Sequence, residues 1–257
     1  MKTASPVVKT TCAYCGVGCG VSMQPQADGF AASGDPAHPA NRGRLCVKGS
    51  ALGETLGLQG RLLQPEIHHQ PVSWPQALDA VAQGLQATID EHGPQSVAFY
   101  GSGQLLTEDY YVANKLMKGF IGAGNMDTNS RLCMASAVVG YKRAFGADAV
   151  PCNYDDLEQA DCVILVGSNT AWAHPVVYQR LAKAKAERPE MQIIVVDPRK
   201  TATCDIADLH LALRPSSDAA LFCGALNEMA ARGKLDTAFL QHHTNGAEET
   251  LQTAKAW

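Results

Sequence analysis

The sequence predicts an α/β protein in which a small, loop-rich N-terminal module precedes a larger domain built on a parallel β-sheet. Apolar runs rich in β-branched residues, at 162–167 and 192–197, alternate with amphipathic segments. That pattern is typical of parallel strands covered by helices on both faces. The first 60 residues lack this periodicity and are instead rich in Gly, Pro and Cys. We therefore place the module at residues 1–65 and the α/β domain at residues 66–257.

The N-terminal module is predicted to hold two short strands, at residues 7–11 and 21–26. Glycine or proline recurs every few residues from 16 to 43, which indicates loops with too little apolar surface for a separate core. A bound metal centre would supply the missing stabilisation.

The α/β domain is predicted to begin with a helix at Trp74, because Ser73 is a suitable N-cap and apolar residues recur with helical spacing up to Ile89. Gly93 and Pro94 end this helix. The remaining predicted elements are a buried strand at 96–100, helices at 107–121 and 132–145, a strand at 162–167, a helix at 175–186, strands at 192–197 and 210–213, and a helix at 218–231 capped by Ser217.

Composition and charge exclude several classes of function. The chain has 257 residues, a formal net charge of −4 and no block of Lys or Arg, so nucleic acid is not an expected partner. No stretch approaches the ~18 apolar residues of a membrane-spanning helix, so no membrane partner is expected either. Residues 1–9 lack the apolar segment and the twin arginine of an export signal, which predicts a cytoplasmic location.

Four of the nine cysteines crowd into the first 46 residues, which favours metal binding over disulfides. The spacing is Cys12-x2-Cys15-x3-Cys19, followed after 26 residues by Cys46. Three thiolates on one loop and a fourth from a distant loop suit the four corners of a 4Fe–4S cubane. Zinc is the alternative, but zinc sites usually pair two short cysteine knuckles, whereas Cys46 stands alone.

The other polar candidates are less specific. Lys48 could offset the charge of a cluster or contact an anionic second cofactor, although a solvated surface lysine is an equal alternative. From chemistry alone, each of the remaining cysteines is expected to be a small buried side chain. These are Cys133, Cys152, Cys162, Cys204 and Cys223.

Two strand ends resemble nucleotide-binding turns. Gly167, Ser168 and Asn169 follow one predicted strand and precede a helix, the arrangement of a phosphate-binding turn at a sheet edge. Asp197 ends the next strand, where a carboxylate can accept from ribose or guanine donors, and Arg199 could pair with a phosphate. Because no full G-x-G-x-x-G is present, ordinary turn chemistry remains the alternative.

Three segments resemble the molybdopterin oxidoreductases, a family that includes formate dehydrogenases and the periplasmic and assimilatory nitrate reductases. They are CAYCGVGCG at 12–20, GRLCVKG at 43–49, and NSRLCMASA at 129–137, the last similar to the segment that supplies the molybdenum ligand in the nitrate-reducing branch. The resemblance implies that Cys133 binds molybdenum through its thiolate and that Met134 lies beside the substrate channel.

The resemblance also implies the cofactors: a 4Fe–4S cluster and a molybdenum bis(molybdopterin guanine dinucleotide). Lys48 would lie between the two, among the catalytic residues. The residues implied to contact the molybdopterin cofactor are Lys48, Gln104, Asn129, Gly167, Ser168, Asn169, His174, Asp197, Arg199, Ser217 and Asp218.

The function implied is the reduction of nitrate to nitrite, of the cytoplasmic, assimilatory type. Electrons would enter at the cluster from a ferredoxin, a flavodoxin or an NADH-dependent reductase. A formate dehydrogenase and a non-catalytic iron–sulfur relay subunit are the alternatives, and a relay would not need a molybdenum ligand such as Cys133. Members of the family are several times this length, which implies that this chain is a fragment.

Overall fold

The computed structural model describes residues 6–257, which divide into two units. Unit 1 consists of the residues up to Pro25, Ala31–Leu52 and Cys152–Trp257, and unit 2 of Gln26–Phe30 and Gly53–Pro151. The expectation about an export signal rests largely on residues 1–5, which lie outside the described residues. The boundary predicted between residues 65 and 66 stays a prediction.

The N-terminal segment forms an antiparallel sheet of β1 (Val8–Thr11), β2 (Gly20–Gln26) and β3 (Gly29–Gly34), followed by a short helix, α1 (Val47–Ser50). Thr11 lies opposite Gly20 in the β1–β2 register. The two predicted strands are confirmed to within one residue. Strand β3 has no counterpart in the prediction, because its small residues show no alternation of apolar and polar side chains.

The middle of the chain forms a hairpin, a parallel strand pair and three helices. In chain order these are β4 (Glu66–Ile67), β5 (Gln70–Pro71), α2 (Trp74–His92), β6 (Phe99–Gly101), α3 (Thr107–Asn114), β7 (Met126–Thr128) and α4 (Ser130–Phe145). Ser73 caps α2 in a reciprocal box with Gln76, as its sequence predicts. A π-helical turn, Lys115–Ile121, continues α3, so the predicted helix at 107–121 is confirmed.

The strand predicted at 96–100 differs from the observed one. A 3-10 turn, Pro94–Ser96, occupies its start. Among the described strands β6 pairs only with β7, Phe99 lying opposite Met126. Of its three residues, Phe99 is half-buried and Gly101 is buried, but Tyr100 is 67% exposed. The expectation of a buried strand is therefore wrong at this residue.

The last hundred residues belong to unit 1 and form its parallel sheet. Their elements are α5 (Tyr154–Gln159), β8 (Cys162–Val166), α6 (Thr170–Ala173), α7 (Pro175–Glu187), β9 (Gln192–Val196), β10 (Leu209–Leu211), α8 (Asp218–Ala231), α9 (Thr237–His243) and α10 (Ala247–Ala254). The strand order is β10-β9-β8. The predicted alternation of parallel strands and helices is confirmed, and β10 begins and ends one to two residues earlier than expected.

At the edge strand β8, only one face of this sheet is buried. Val163, Ile193 and Val195 are buried in a core with Leu181 and Ala184 of α7. The next residue of β8, Ile164, points the other way and is 50% exposed. Coverage of both faces, which the sequence predicts, therefore fails at the edge strand among the described residues.

The cysteines outside the N-terminal group are mostly accessible. Cys204 is buried and Cys223 is half-buried, whereas Cys133, Cys152 and Cys162 are exposed. The expectation that chemistry alone gives, a small buried side chain, is wrong for those three. In the described range 6–257, no helix combines the length and apolarity needed to cross a membrane.

Asp208 joins β9 to α7, and its replacement gives a testable pH effect. Its carboxylate accepts hydrogen bonds from Lys185 Nζ and from the Ile193 amide, each at 2.8 Å. The hydrogen bond from Lys185, and then that from Ile193, hold the pKa of Asp208 below its ordinary value of 3.8. Because the folded pKa is the lower one, this stabilisation is present above the unfolded pKa and is lost as the pH falls through the folded pKa.

We expect Asp208→Asn to flatten the decline in unfolding free energy between roughly pH 5 and pH 2. Denaturant titrations at several pH values measure that slope. Asp28→Asn is the matched control, since Asp28 is exposed and forms no salt bridge with any described residue. Equal slopes for Asp208→Asn and the unmodified chain would contradict the prediction.

Candidate functional site

Three of the N-terminal cysteines lie on the single loop that joins β1 to β2. Cys12 follows the last residue of β1, and Cys19 precedes the first residue of β2. The Cys12 amide donates to the Cys19 carbonyl at 2.8 Å, which closes the loop at its base. Gly18 adopts a φ of +69°, a conformation that glycine reaches without a steric penalty. The loop therefore carries all three thiols on one tight turn.

Cys46 completes the group from the residue that precedes α1. Its side chain and those of Cys12, Cys15 and Cys19 line one cavity, together with Tyr14, Val17, Leu45, Gly49, Pro175 and Val176. All four cysteines are free thiols. The structure thus brings together the four cysteines that the sequence singles out, in a mostly apolar setting.

The electrostatics of this cavity call for a cationic occupant. Burial and then the charges of Cys12, Cys15 and Cys46 raise the pKa of Cys19 to about 11. The Cys19 thiolate is therefore disfavoured unless positive charge lies beside it, which bound iron would supply.

The arrangement of the cysteine segments favours a cluster over a single ion. Structural zinc sites usually pair two short cysteine knuckles, whereas here three cysteines share one loop and Cys46 comes alone from a second segment. Three thiols on one loop and a fourth from another segment suit the four corners of a four-iron cluster.

Asn41 fixes the two cysteine segments relative to each other. It is fully buried, and its Oδ1 accepts from the Gly20 amide at 2.8 Å. Its Nδ2 donates to the Gly20 carbonyl at 3.0 Å and to the Arg44 carbonyl at 2.7 Å. Gly20 adjoins Cys19, and Arg44 lies two residues before Cys46. A Cβ at Gly20 would lie 2.3 Å from the His38 ring, so this close approach requires glycine.

We expect Asn41→Asp to lower the free energy of unfolding by about 3 kcal/mol or more, because a carboxylate would face two buried carbonyls it cannot donate to. Iron should also be lost faster. Denaturant unfolding and iron release to a chelator measure the two effects. Asn227→Asp is the control, since Asn227 makes one such bond, to the Ala254 carbonyl, and should cost about 1 kcal/mol. Equal losses in both variants would contradict the assignment.

In unit 2, the loops that follow β6 and β7 meet at the carboxyl ends of this parallel pair. The Gly103 amide donates to Asn129 Oδ1 at 2.6 Å, which sets the loop carrying Gln104 beside the start of α4. Cys133 lies in the first turn of α4, where its amide donates to the Asn129 carbonyl at 3.1 Å. Cys133 is exposed and Met134 is 40% exposed. Four of the predicted residues therefore lie at one sheet edge.

In unit 1, the carboxyl ends of β8, β9 and β10 gather a second set of predicted residues. Gly167 has a φ of +57° and donates to the Val196 carbonyl at 2.8 Å. Asn169 Oδ1 accepts from Thr203 Oγ1 at 3.1 Å. Asp197 is buried at the end of β9, and its Oδ1 accepts from the Arg199 amide at 2.8 Å.

The rest of the unit 1 set is more dispersed. Ser168 is half-buried, and its Oγ lies 2.8 Å from Thr170 Oγ1. Ser217 precedes α8 without a side-chain cap bond, and Asp218 is exposed in its first turn. His174 precedes Pro175 and Val176, which line the cysteine cavity. Lys48 is exposed on α1 and, within the described chain, forms no salt bridge.

Several residues at these sites are absent from the sequence prediction. Thr201, two residues after Arg199, has a buried Oγ1 without a hydrogen-bond partner in residues 6–257, which leaves it available to a ligand. Asn41 and Tyr154 carry no sequence signal of their role. Arg180 does carry one, because it occupies the buried stripe of α7 between Val176 and Ala184, where a charged residue is unexpected.

Family models and curated relatives both indicate the same family for this chain. The model of the molybdopterin oxidoreductase Fe4S4 domain matches residues 5–56, and that of molybdopterin oxidoreductase matches residues 61–254. A nitrate reductase of Klebsiella oxytoca is 62% identical over 97% of this chain and 28% of its own length. A periplasmic nitrate reductase of Desulfovibrio desulfuricans is 47% identical over 93% of this chain and 32% of its own length.

The fold has a solved counterpart. Acetylene hydratase from Pelobacter acetylenicus superposes with a TM-score of 0.82 at 24% identity, over 97% of this chain and 35% of that one. This likeness concerns the fold alone, which is compatible with more than one activity. The chain spans about a quarter to a third of the length of the curated relatives it matches. On the two family models, this chain belongs to the molybdopterin oxidoreductases, with their iron–sulfur cluster and molybdenum–molybdopterin cofactor.

Proposed function

We propose that the complete protein reduces nitrate to nitrite, with electrons entering through the 4Fe–4S cluster and Cys133 as the molybdenum ligand. The observation that carries this proposal is the exposed Cys133 thiol in the first turn of α4, beside the loop of Gln104. A non-catalytic relay subunit would have no use for an accessible thiol at this sheet edge. The identity with nitrate reductases supports the choice of substrate.

The residues of the chain divide the work between two cofactors. When bound, molybdenum–molybdopterin supplies oxygen-atom transfer coupled to two electrons, and the cluster supplies single-electron transfer. Cys12, Cys15, Cys19 and Cys46 would hold the cluster. Cys133 would bind molybdenum through its sulfur, and Met134 would border the substrate beside it.

The molybdopterin would take the form of a bis(guanine dinucleotide), and residues of each unit are proposed contacts. In unit 2, Gln104 and Asn129 would contact it. In unit 1, the backbone of Gly167, the side chains of Ser168 and Asn169, and Asp197 with Arg199 would bind phosphate, ribose or guanine groups. Buried Thr201 Oγ1, which lacks a partner within the described residues, supports a ligand at this edge. We add His174, Ser217, Asp218 and Lys48 to the proposed contacts.

Residues 1–65 would form the cluster module and residues 66–257 an incomplete molybdopterin-binding region. The protein would be of the assimilatory, cytoplasmic type, with a ferredoxin, a flavodoxin or an NADH-dependent reductase as its electron donor. The periplasmic relative at 47% identity makes cell fractionation the direct check.

The test uses the complete protein, purified without oxygen. We expect nitrate-dependent oxidation of a reduced dye, and about four irons with one molybdenum per chain. Formate-dependent dye reduction without nitrate turnover would instead indicate a formate dehydrogenase. Four irons without molybdenum would indicate a relay subunit, and zinc in place of iron would contradict the cluster assignment.

A further inference from the structure

Arg180 is a buried arginine with hydrogen-bond partners in two other segments, residues 39–40 and α5. It lies on α7 with 2% of its surface exposed. Its Nη1 donates to the carbonyls of Pro39 and Ala40, at 2.9 and 2.8 Å. Its Nε donates to Glu158 and its Nη2 to Asp155, each at 2.5 Å. Burying a guanidinium costs desolvation free energy, and the two carboxylates and two carbonyls paired with Arg180 offset that cost.

The carbonyls that Arg180 binds belong to the segment that ends at Cys46. Pro39 and Ala40 immediately precede Asn41. Asn41 accepts from the Gly20 amide, next to Cys19, and donates to the Arg44 carbonyl, two residues before Cys46. Arg42, with a φ of +45°, pairs with the same two carboxylates, at 2.7 Å to Asp155 and 3.2 Å to Glu158. Two arginines and two carboxylates therefore join this segment to α5 and α7.

The Cys15–Cys19 turn is tied to the same group through Tyr154. The guanidinium of Arg180 lies over the Tyr154 ring, 5.5 Å from its centroid. The Tyr154 hydroxyl donates to the Val17 carbonyl at 3.1 Å and to the Gly16 carbonyl at 3.3 Å. Burial, and then the nearby Cys19 and Cys15, raise the pKa of Tyr154, so this hydroxyl remains a donor.

We propose that Arg180 is a positioning residue for the iron–sulfur cluster. It holds the Cys46 segment through the Pro39 and Ala40 carbonyls, and the Cys15–Cys19 turn through Tyr154. The helix that carries it also places Pro175 and Val176 in the wall of the cavity. In this arrangement the four thiols are set in place before iron binds. The inference rests on the cluster assignment and is independent of nitrate as the substrate.

The positive charge of Arg180 should also affect the reduction potential of the cluster, which a purely structural role would leave unchanged. Removing it leaves Arg42 alone to offset Asp155 and Glu158, so the surroundings of the cluster become more negative. A reduced cluster carries one more electron than an oxidised one. A charge-removing variant should therefore lower the reduction potential, and a charge-conserving variant should keep it.

The experiment compares Tyr154→Phe, Arg180→Lys and Arg180→Met in the chain with its cluster assembled. Iron release to a chelator, the cluster's EPR spectrum and its midpoint potential are measured. Tyr154→Phe keeps the ring but loses both hydrogen bonds, and should release iron about fivefold faster, which corresponds to about 1 kcal/mol. Arg180→Lys should release iron faster still at an unchanged potential, and Arg180→Met should also lower the potential.

Arg232→Met is the matched control, because Arg232 also pairs with a glutamate, Glu228, but at an exposed position that directly follows α8 in the same unit. It should change none of the readouts. Wild-type iron release in Tyr154→Phe would overturn the proposal, whatever the stability of the Arg180 variants. Iron release in Arg232→Met as fast as in Arg180→Met would also overturn it, since the effect would then be a general loss of stability.

Discussion

Replacing Cys133 with alanine is expected to abolish nitrate reduction by the complete protein while leaving its iron content unchanged. The thiol is the proposed molybdenum ligand, and it is exposed in the first turn of α4. Residues that merely orient a metal ligand typically contribute about 10–100-fold to affinity or activity, so loss of the ligand itself should cost ~100-fold or more. Nitrate-dependent oxidation of a reduced dye measures the turnover, and metal analysis reports molybdenum and iron separately.

Cys152→Ala is the matched control for Cys133, since both cysteines are exposed and neither lies among the four N-terminal thiols. It should keep wild-type turnover. Full activity in Cys133→Ala would show that molybdenum is held by another residue. Loss of iron from Cys133→Ala would contradict the assignment of Cys133 to molybdenum and of the four N-terminal cysteines to the cluster.

Replacing Cys19 with alanine is expected to remove most of the iron from the chain. Cys19 is 6% exposed, lies in the core formed with Val17, Val21 and Val176, and lines the cavity shared with the other three thiols. Without iron, the small N-terminal sheet loses the stabilisation that its few apolar residues do not provide. Iron per chain should fall from about four to well below one. The brown colour and the stability of residues 6–56 should fall with it.

Cys204→Ala provides the comparison for Cys19. Cys204 is also buried, at 7% exposure, but it lies in the core under β8 and β9. It should lose at most about 1 kcal/mol of stability, from a small cavity, and keep its iron. Unchanged iron in Cys19→Ala would exclude Cys19 as a ligand, and equal iron loss in both variants would point to destabilisation of the unit instead.

Local patterns determined most of the elements. Ser73 and Gln76 give the start of α2, Gly93 gives its end, and the β-branched runs give β8 and β9, because caps and apolar periodicity act over a few residues. The prediction fails where packing against neighbouring elements determines whether a residue is buried. Tyr100 and Ile164 are exposed because β6 and β8 lack the neighbouring layers that a continuous apolar run anticipates.

The candidate sites show the same division. Cysteine spacing by itself determined which four residues share a cavity, because three of them lie within eight residues of each other and the fourth has no competing partner motif. Strand ends determined that Gly167 and Asp197 lie at the carboxyl edges of parallel strands, whereas β7, which precedes Asn129, has no counterpart in the prediction. These inferences need only the handedness and direction of the chain.

Only the tertiary structure decided which side chains hold those cysteines in place. Asn41 bonds Gly20 across 21 residues, and Arg180 bonds Pro39 and Ala40 across about 140. Neither distance leaves a pattern in the sequence, because a hydrogen bond between remote segments depends on how the whole chain is folded. The cysteines of the cluster can therefore be identified from the amino-acid sequence, whereas the partners of the buried polar residues that position them are determined only when distant segments are brought together.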